Sequence, residues 1–261
     1  MTDHSASGRK PGPRPALAFP TDVPPLEPTG EFLRACEEFG IAFDDGDVER
    51  LGRYLAMLLA ANELVNLTAV TDPAAAWMRH IFDSLTLVPL LVELPDAARI
   101  ADVGSGGGLP GIPLAICLPG LHFTLMESTG KKAEFIRAVA TALKLQNIEV
   151  ECERAEELAR DRRRHRDSYD AVVARAVGPM SVVAELTVPF AKKDGRVLLI
   201  KGQKADEELA AAAKALGLLD AEHTGTIDTP TGRVVVLTKQ LPTSRTYPRN
   251  PGEPKRKPLG G

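Results

Sequence analysis

The chain of 261 residues is poor in cysteine, with only Cys36, Cys117 and Cys152. An odd number of thiols this far apart does not suggest a disulfide framework, and their spacing matches no zinc-binding pattern. We therefore expect each cysteine to be a buried, small apolar residue rather than a nucleophile, and we expect no metal site.

Long apolar runs are also missing, and no window reaches the roughly 20 apolar residues that span a bilayer. The first 28 residues contain proline and charge but lack the apolar core of a signal peptide. Without a secretory signal, Asn66-Leu67-Thr68 has no meaning as a glycosylation sequon. These absences predict a cytoplasmic protein.

Neither sign of charge dominates, because the formal net charge is −3. This balance argues against a protein that is basic throughout, as many nucleic-acid binders are, but it allows local basic patches. Two such patches are present. One is the arginine-rich stretch 160–166, and the other is the tail after residue 241, where five Lys or Arg accompany the single acidic residue Glu253.

Helical periodicity, caps and composition divide the chain into segments. Asp72 and Pro73 mark a helix start, and the apolar stripe of that helix includes Trp77 and Ile81. The proline-rich start is predicted to be disordered. The chain is therefore predicted to have four segments: a disordered extension (1–28), a helical cap (29–92), a main domain (93–241) and a basic, proline-containing tail (242–261).

From residue 99 onward, apolar strands alternate with helices, which is typical of a parallel sheet covered on both faces. The last two strand-like runs are joined by Thr229-Pro230-Thr231-Gly232, a turn sequence that indicates a hairpin. The predicted fold is α/β, with a Rossmann-like, mostly parallel seven-stranded sheet, an edge hairpin and the N-terminal helical cap. Such a hairpin usually finishes the class I fold of S-adenosylmethionine (SAM) methyltransferases.

A glycine-rich turn follows the first strand of the main domain, in the run 102–111. Glycines let a ligand approach the backbone, and the start of the next helix attracts an anion or a carboxylate. Gly106, Gly108 and Gly111 match the dinucleotide pattern. The SAM pattern, an acidic residue before alternating glycines, is matched by Asp102, Gly104, Gly106 and Gly108. The strand-end carboxylate favours SAM over a nicotinamide cofactor.

Carboxylates also follow the next two strands. Glu127 ends the second strand, where an acidic residue accepts hydrogen bonds from ribose hydroxyls in doubly wound folds. At the end of the third strand, a backbone amide and a carboxylate of Ala155-Glu156 are placed to bind the edge of an adenine. The alternative for Glu127 is a solvated carboxylate.

Cationic side chains follow the fourth and fifth strands, at the sheet edge where ligands bind. Arg175 is suited to a methionine carboxylate or a substrate phosphate, although a structural salt bridge is an alternative. Lys201 ends the fifth strand in a similar place. In the cap, Arg79, His80 and Asp83 are polar residues away from the apolar stripe, and we expect them at the mouth of the pocket.

An ordered set of motifs extends along the chain. It comprises Asn66-Leu67-Thr68, Arg79-His80-x-x-Asp83-Ser84-Leu85, the run Asp102–Pro113, Glu127-Ser128-x-x-Lys131-Lys132, Ala174-Arg175-Ala176, Lys201-Gly202 and Tyr247-Pro248-Arg249-x-x-Gly252-x-Pro254. Over roughly residues 60–258 this set resembles the RsmG family, also called glucose-inhibited division protein B. These proteins are small-subunit rRNA guanine-N7 methyltransferases.

The resemblance implies SAM as the methyl donor and a single guanine in the 530 loop of 16S rRNA, position 527, as the target. The resemblance and the pattern of the glycine loop together give the expected cofactor contacts, which are Asp102, Gly104, Gly106, Gly108, Leu109, Glu127, Ala155, Glu156 and Arg175. Asp83 and Arg175 are expected to position the reacting groups, since guanine N7 needs no general base. The expected RNA contacts are Arg79, His80, Lys201 and Arg249.

The expected partner is 16S rRNA or the 30S particle, bound by a monomer with no membrane association. The basic tail and the stretch 160–166 are expected to hold phosphates, with solubility as the alternative role. Gly107 stands where some family members have proline. Three other functions stay open: a methyltransferase with another substrate, a non-catalytic RNA-binding assembly factor, and a nicotinamide oxidoreductase.

Overall fold

A computed structural model describes residues 17–175 and 177–260. Its sheet consists of seven strands, β1 (Arg99–Val103), β2 (His122–Met126), β3 (Ile148–Glu151), β4 (Tyr169–Arg175), β5 (Ala191–Lys201), β6 (Ala221–Thr229) and β7 (Gly232–Lys239).

The strand order is β3-β2-β1-β4-β5-β7-β6. The first five strands of the chain pair in parallel, whereas β7 runs antiparallel to both β5 and β6. The turn Pro230-Thr231 joins β6 and β7 as the predicted edge hairpin. The predicted fold class is therefore confirmed.

Helices precede the sheet and connect its strands. Those before β1 are α1 (Gly30–Glu38), α2 (Asp47–Asn62), α3 (Pro73–Ala76), a π-helical turn (Trp77–Phe82), α4 (Asp83–Leu85) and α5 (Val88–Leu91). Those that follow are α6 (Gly111–Cys117), α7 (Gly130–Ala142), α8 (Ala155–Leu158), α9 (Met180–Thr187), a 3-10 turn (Val188–Phe190), α10 (Ala205–Ala211), α11 (Ala213–Leu218) and α12 (Glu253–Arg256).

The helical cap shares one core with a face of the sheet. Phe32 and Trp77 of the cap are buried with ring centroids 4.6 Å apart. The same cluster contains Ile100 of β1 and Phe135 of α7. A second cluster fills the opposite face, beneath α9 and α11. Residue 92 therefore marks a change in the sequence pattern, but the helical cap and the main domain share one apolar core.

The N-terminal segment differs from its predicted disorder where it is described. Residues 17–28 have no helix or strand. However, Phe19 lies edge-on to Phe135 at 5.5 Å, and the amide of Leu26 donates to the carbonyl of Gly52 over 3.2 Å. A Cβ at Gly52 would lie 2.4 Å from the Leu26 carbonyl oxygen, so only glycine allows this approach. The prediction is wrong for residues 17–28, and residues 1–16 lie outside the described part.

The cysteines follow the sequence prediction only in part, because Cys36 is buried, Cys117 is half-buried and Cys152 is exposed. Across residues 17–175 and 177–260, no helix has the length and apolar character needed to cross a membrane.

Candidate cofactor cavity and acceptor cavity

The loop after β1 uses glycine where the backbone requires it. Gly104, Gly106 and Gly108 have φ angles of 77°, 57° and 93°, a region that L side chains rarely adopt. The amides of Gly104 and Ser105 both donate to the carbonyl of Met126, over 2.9 and 3.2 Å. The loop is thus tied to the end of β2.

Asp102 lies beneath this loop instead of facing a ligand cavity. It is fully buried, and its Oδ2 accepts a hydrogen bond from the Gly111 amide over 2.9 Å. Its Oδ1 has no hydrogen-bond partner among the described residues. Burial raises the pKa of Asp102 to about 7. The structure therefore places Asp102 as a support of the loop, contrary to its predicted contact with the cofactor.

Glu127 connects the glycine loop with the end of β2. Its Oε2 accepts from the Gly106 amide over 3.0 Å, and its Oε1 accepts from the Thr129 amide over 2.7 Å. A carboxylate has about four acceptor positions, so two remain for a ligand. Glu127 borders a cavity, and its contact with ribose hydroxyls stays a prediction.

This cavity, which we call the cofactor cavity, opens to solvent, and it encloses about 680 Å³ when the solvent at its mouth is included. Its walls include the ends of β1 and β2, the segment after β3, helix α9 and part of the tail. Its lining combines apolar side chains with three carboxylates and two cations, and it includes Val103, Gly104, Met126, Glu127, Glu153, Arg154, Ala155, Glu156, Val177, Val182, Leu186 and Lys255. Apolar walls with a few placed acceptors suit a nucleoside, whose base is flat and whose ribose donates hydrogen bonds.

The predicted cofactor contacts are only partly brought together. Gly104, Glu127, Ala155 and Glu156 line the cofactor cavity. Gly106, Gly108 and Leu109 shape the loop but do not line the cavity. Leu109 is buried in the core, next to the cap.

A second cavity, the acceptor cavity, lies at the ends of β4 and β5 and encloses about 850 Å³ when the solvent at its mouth is included. Polar side chains dominate its lining, which comprises Val70, Arg79, His80, Asp83, Arg175, Ile200, Lys201, Gly202, Glu208 and Thr231. The cap and the sheet meet here, as predicted for the mouth of the pocket.

The π-helical turn places the cap residues of this cavity. Asp72 caps the preceding helix by accepting from the Ala75 amide, as the sequence predicts. The turn is wider than an α-helix, and π-helical turns are frequent at functional sites. Trp77 and Ile81 point into the core, whereas His80 and Asp83 reach the cavity.

Arg175 is held by three groups of the cap. Its Nη1 donates to the Arg79 carbonyl over 2.7 Å and lies 3.3 Å from Oδ2 of Asp83. Its Nη2 lies 3.1 Å from Nδ1 of His80. Oδ1 of Asp83 accepts from the Thr231 hydroxyl over 2.7 Å. The fork of Arg175 is therefore fixed between β4, the cap and the hairpin turn.

His80 is neutral and has a defined tautomer. A guanidinium only donates hydrogen bonds, so Nδ1 facing Arg175 accepts and carries no proton. The ring proton is on Nε2, which lies 2.7 Å from the Thr68 hydroxyl oxygen. Burial, and then the charge of Arg175, lower the pKa of His80 to about 4. His80 is thus an acceptor for Arg175 and not a free cation for RNA.

Lys201 and Arg249 differ from their predicted contacts with RNA. Nζ of Lys201 lies 2.6 Å from Oε2 of Glu208 and donates to the Gly178 carbonyl over 2.8 Å. Arg249 lies in neither cavity, and its Nε and Nη2 donate to the two carboxylate oxygens of buried Glu185. Both cations are committed to internal partners.

The arginine-rich stretch is largely engaged as well. Arg164 pairs with Glu149 and Glu151, and Arg160 pairs with Glu157. Arg166 is buried, donates to carbonyl oxygens, and its Nε lies 3.7 Å from Oδ2 of Asp167. Arg162 and Arg163 are exposed.

The sequence prediction missed several residues that build the two cavities. The Tyr54 hydroxyl donates to the Gly107 carbonyl over 2.9 Å. Oδ1 of Asn62 accepts from the amides of Leu67 and Thr68, which shapes the loop beside His80. The position of Asn62 just before the Asn66-Leu67-Thr68 motif is a signal that could have identified it. No local signal marks Thr231 or Tyr54, since their partners are distant in sequence.

No group of three or more His, Cys, Asp or Glu residues arranged to hold a metal ion occurs within the described ranges.

Comparisons with known proteins identify the family of this chain. A sequence model of the rRNA small subunit methyltransferase G family, GidB, matches residues 47–232. Ribosomal RNA small subunit methyltransferase G of Sorangium cellulosum is 48% identical over 241 residues, which cover 91% of this chain and 98% of that protein. The protein of the same name from Bacillus subtilis is 35% identical, with 88% and 98% covered.

Solved structures show the same fold at low sequence identity. A crystal structure of a Corynebacterium glutamicum protein aligns with a TM-score of 0.52 at 16% identity, covering 81% of this chain and 97% of that one. A SAM-dependent methyltransferase from Aquifex aeolicus aligns with a TM-score of 0.50 at 12% identity, covering 63% and 93%. By its sequence, the chain belongs to the rRNA small subunit methyltransferase G family.

Proposed function

We propose that this protein transfers the methyl group of SAM to N7 of a guanine in 16S rRNA, the guanine at position 527 in the 530 loop. The observation that carries the proposal is the placement of two different cavities at one sheet edge. Asp102 of β1 is in register with Val173 of β4, so Gly104 and Arg175 follow at similar levels on neighbouring strands. A nucleoside cavity therefore lies beside a cavity that presents cations.

The residues of the cofactor cavity fit SAM. The carboxylate of Glu127 is oriented by two backbone amides and accepts hydrogen bonds from the ribose hydroxyls. Glu156 and the Ala155 amide bind the edge of the adenine. Because Gly104 has no side chain, the space beside Val177 stays open. A Cβ at position 104 would lie 3.2 Å from Cγ2 of Val177. SAM supplies an electrophilic methyl carbon on a sulfonium, and it leaves as S-adenosylhomocysteine.

The acceptor cavity requires no general base for this reaction. N7 of guanine has a lone pair, so its attack on carbon does not remove a proton. His80 is neutral and donates to Thr68, Asp83 accepts from Arg175 and Thr231, and Glu208 accepts from Lys201 and the Met180 amide. Alignment of the reacting atoms then provides most of the catalysis.

Arg175 and Asp83 position the acceptor in this scheme. Arginine commonly binds both N7 and O6 of guanine, but here N7 must stay free, so a cation contacts only O6 or a phosphate. The Asp83 carboxylate keeps the Arg175 fork in place, and its negative charge favours the positive charge that arises on the methylated purine. The side chain of Arg79 lines the same cavity and is suited to a phosphate.

The target base must leave its stack to enter the acceptor cavity, which is easier in an RNA loop than in a duplex. Exposed cations such as Arg162 and Arg163 are available for phosphates, with an affinity that falls as salt rises. We infer that the partner is 16S rRNA or a 30S particle, that the protein works as a monomer, and that it acts in the cytoplasm where these particles assemble.

A methyl-transfer assay with labelled SAM and undermethylated 30S particles, followed by mapping of the modified nucleotide, tests the proposal. We expect label at one guanine of the 530 loop. Incorporation elsewhere would indicate another substrate. SAM binding without transfer to RNA or any other acceptor would contradict a methyltransferase. Absence of binding to S-adenosylhomocysteine in calorimetry would favour a non-catalytic RNA-binding factor, and binding of NAD instead would favour an oxidoreductase.

A further inference from the structure

The C-terminal segment 242–260, which we call the strap, is docked on the main domain. Its Thr243 and Leu259 are buried, and Tyr247 packs against the core beneath α9. The buried Arg166 donates to the carbonyls of Thr243, Ser244 and Tyr247 over 2.8 to 2.9 Å. The guanidinium of Arg166 therefore donates to carbonyl oxygens of the strap and is not available for RNA phosphates.

A buried ion pair fixes the middle of the strap. Glu185 on α9 is fully buried, and its two oxygens accept from Nε and Nη2 of Arg249 over 2.9 and 2.7 Å. The backbone amide of Arg249 also donates to Glu185, over 2.9 Å. A bidentate pair of this kind is among the most directional contacts in proteins. This ion pair fixes the position of Arg249 and therefore the path of the chain that follows it.

The chain then reaches the cofactor cavity. Gly252, Pro254 and Lys255 are part of the cavity lining. The amide of Gly252 donates to Oε1 of Glu156 over 2.7 Å, which leaves Oε2 of Glu156 for other contacts. Gly252 has a φ angle of 76°, so the turn that presents this amide favours glycine.

We propose that the strap is the base-side wall of the cofactor site and that Arg249 is a positioning residue for it. Arg249, locked by Glu185, places the Gly252 amide, and that amide orients the Glu156 carboxylate toward the base of the bound nucleoside. This inference rests on the proposed function, because it concerns the same cofactor site. It assigns the strap to donor binding instead of to RNA.

Two consequences follow from this arrangement. Binding of the nucleoside and docking of the strap stabilise each other, because coupling between two binding events is reciprocal. In addition, substitutions in the strap should weaken binding of the methyl donor and leave binding of the RNA acceptor unchanged. The reason is that the strap lines the cofactor cavity and not the acceptor cavity.

Amide hydrogen exchange of the wild-type protein tests the first consequence, with S-adenosylhomocysteine as the probe. We expect the amides of residues 249–256 to exchange at least fivefold more slowly when the probe saturates the protein. Unchanged exchange in these residues, with the probe bound, would overturn the inference. Failure of the wild type to bind the probe would overturn both this inference and the proposed function, so the two failures are distinguishable.

Substitution of the ion pair tests the second consequence. Arg249→Ala alone would leave a buried carboxylate unpaired and could unfold the protein, so the double variant Glu185→Leu/Arg249→Leu is preferable. We expect its dissociation constant for S-adenosylhomocysteine to rise at least tenfold, and the KM for SAM to rise while the KM for rRNA stays within twofold. Arg245→Ala, which removes one exposed charge from the strap, is the matched control and should bind as the wild type does. A double variant that is folded and binds within twofold of the wild type would overturn the inference.

Discussion

The amide nitrogen of Gly111 donates a hydrogen bond of 2.9 Å to Oδ2 of Asp102, nine residues earlier in the chain. This bond closes the glycine loop from below and directs the carboxylate away from the cofactor cavity. A Cβ at Gly111 would lie 2.6 Å from the same oxygen. The acidic residue and the last glycine of the motif therefore contact each other, and Asp102 does not line the cofactor cavity.

Asp102→Asn should change how stability depends on pH. The pKa of Asp102 is raised from 3.8 to about 7 in the folded protein. Between these values the folded protein holds a proton that the unfolded chain releases. The free energy of unfolding therefore falls as pH rises through this range, by up to about 1.4 kcal/mol per pH unit. The variant lacks this contribution, so it should lose less stability than the wild type between pH 5 and pH 8. Urea unfolding at both pH values measures the difference, and equal losses would contradict the burial of an ionisable Asp102.

Gly111→Ala should destabilise the protein by about 1 to 3 kcal/mol, because the added methyl group overlaps Asp102 and the side chain of Leu125. Gly217→Ala is the matched control, since Gly217 lies in α11 and a Cβ added there would meet no neighbouring group within 4 Å. That change should be neutral or stabilising by up to about 1 kcal/mol, because alanine favours the helix. Thermal unfolding of the two variants compares them directly. Similar melting temperatures would show that the loop tolerates a side chain at Gly111.

Arg175→Ala should lower kcat/KM for methylation of 30S particles at least tenfold, because the fork that joins β4 to the cap is lost. Arg196→Ala provides the control. Nη2 of Arg196 also donates to a cap carbonyl, that of Leu90, over 2.8 Å, but Arg196 lines neither cavity. Both variants remove a contact between the sheet and the cap, yet only the first should lower activity strongly. Near-normal turnover of Arg175→Ala would exclude Arg175 from the site.

Asp83→Asn should lower kcat about tenfold while the dissociation constant for S-adenosylhomocysteine stays within about twofold. The amide still has an oxygen for the Thr231 hydroxyl, but the charge that holds Arg175 is gone. Asp170→Asn, at the start of β4 and paired with Lys192, is a control outside both cavities. Steady-state kinetics and calorimetry separate the two effects. Weaker donor binding with unchanged kcat would place Asp83 in the donor site.

His80 should stay neutral down to about pH 5, because burial and Arg175 lower its pKa to about 4. Nitrogen-15 NMR of the imidazole should show the proton on Nε2 and a bare Nδ1 at neutral pH. In stability terms, the unfolded chain takes up a proton at this histidine below about pH 6.5, so its contribution to stability is lost as pH falls from there toward 4. The exposed His122 provides a reference resonance in the same spectra. Protonation of His80 near pH 6.5 would contradict the contact with Arg175.

The regular elements were predictable because their signals are local. Alternating strands and helices indicated the parallel sheet, and Thr229-Pro230-Thr231-Gly232 indicated the hairpin, since turn chemistry depends on a few adjacent residues. The start of α3 at Asp72 and Pro73 was predictable for the same reason. The π-helical turn over Trp77–Phe82 was not, because the apolar stripe of this segment is equally compatible with a regular helix.

The site was predictable to the extent that it follows strand ends. Glu127 follows β2 and Arg175 ends β4, and the carboxyl ends of parallel strands meet at one edge of the sheet, so the sequence could place both at the edge where the two cavities lie. The orientation of Asp102 depended on how closely Gly111 approaches, and the sequence pattern contains no information on that distance.

Local patterns and ordered motifs were enough to predict the sheet, the glycine loop and the family to which this chain belongs. Which charges are free and which are paired could be seen only in the folded protein, because the partners come together through tertiary packing. Arg166, Lys201 and Arg249 are cations of the kind that contact RNA, yet each donates to a carbonyl or carboxylate oxygen that is distant in sequence. An exposed Arg or Lys without a partner can bind a phosphate. An Arg or Lys paired with a buried group instead holds its own segment of the chain in place.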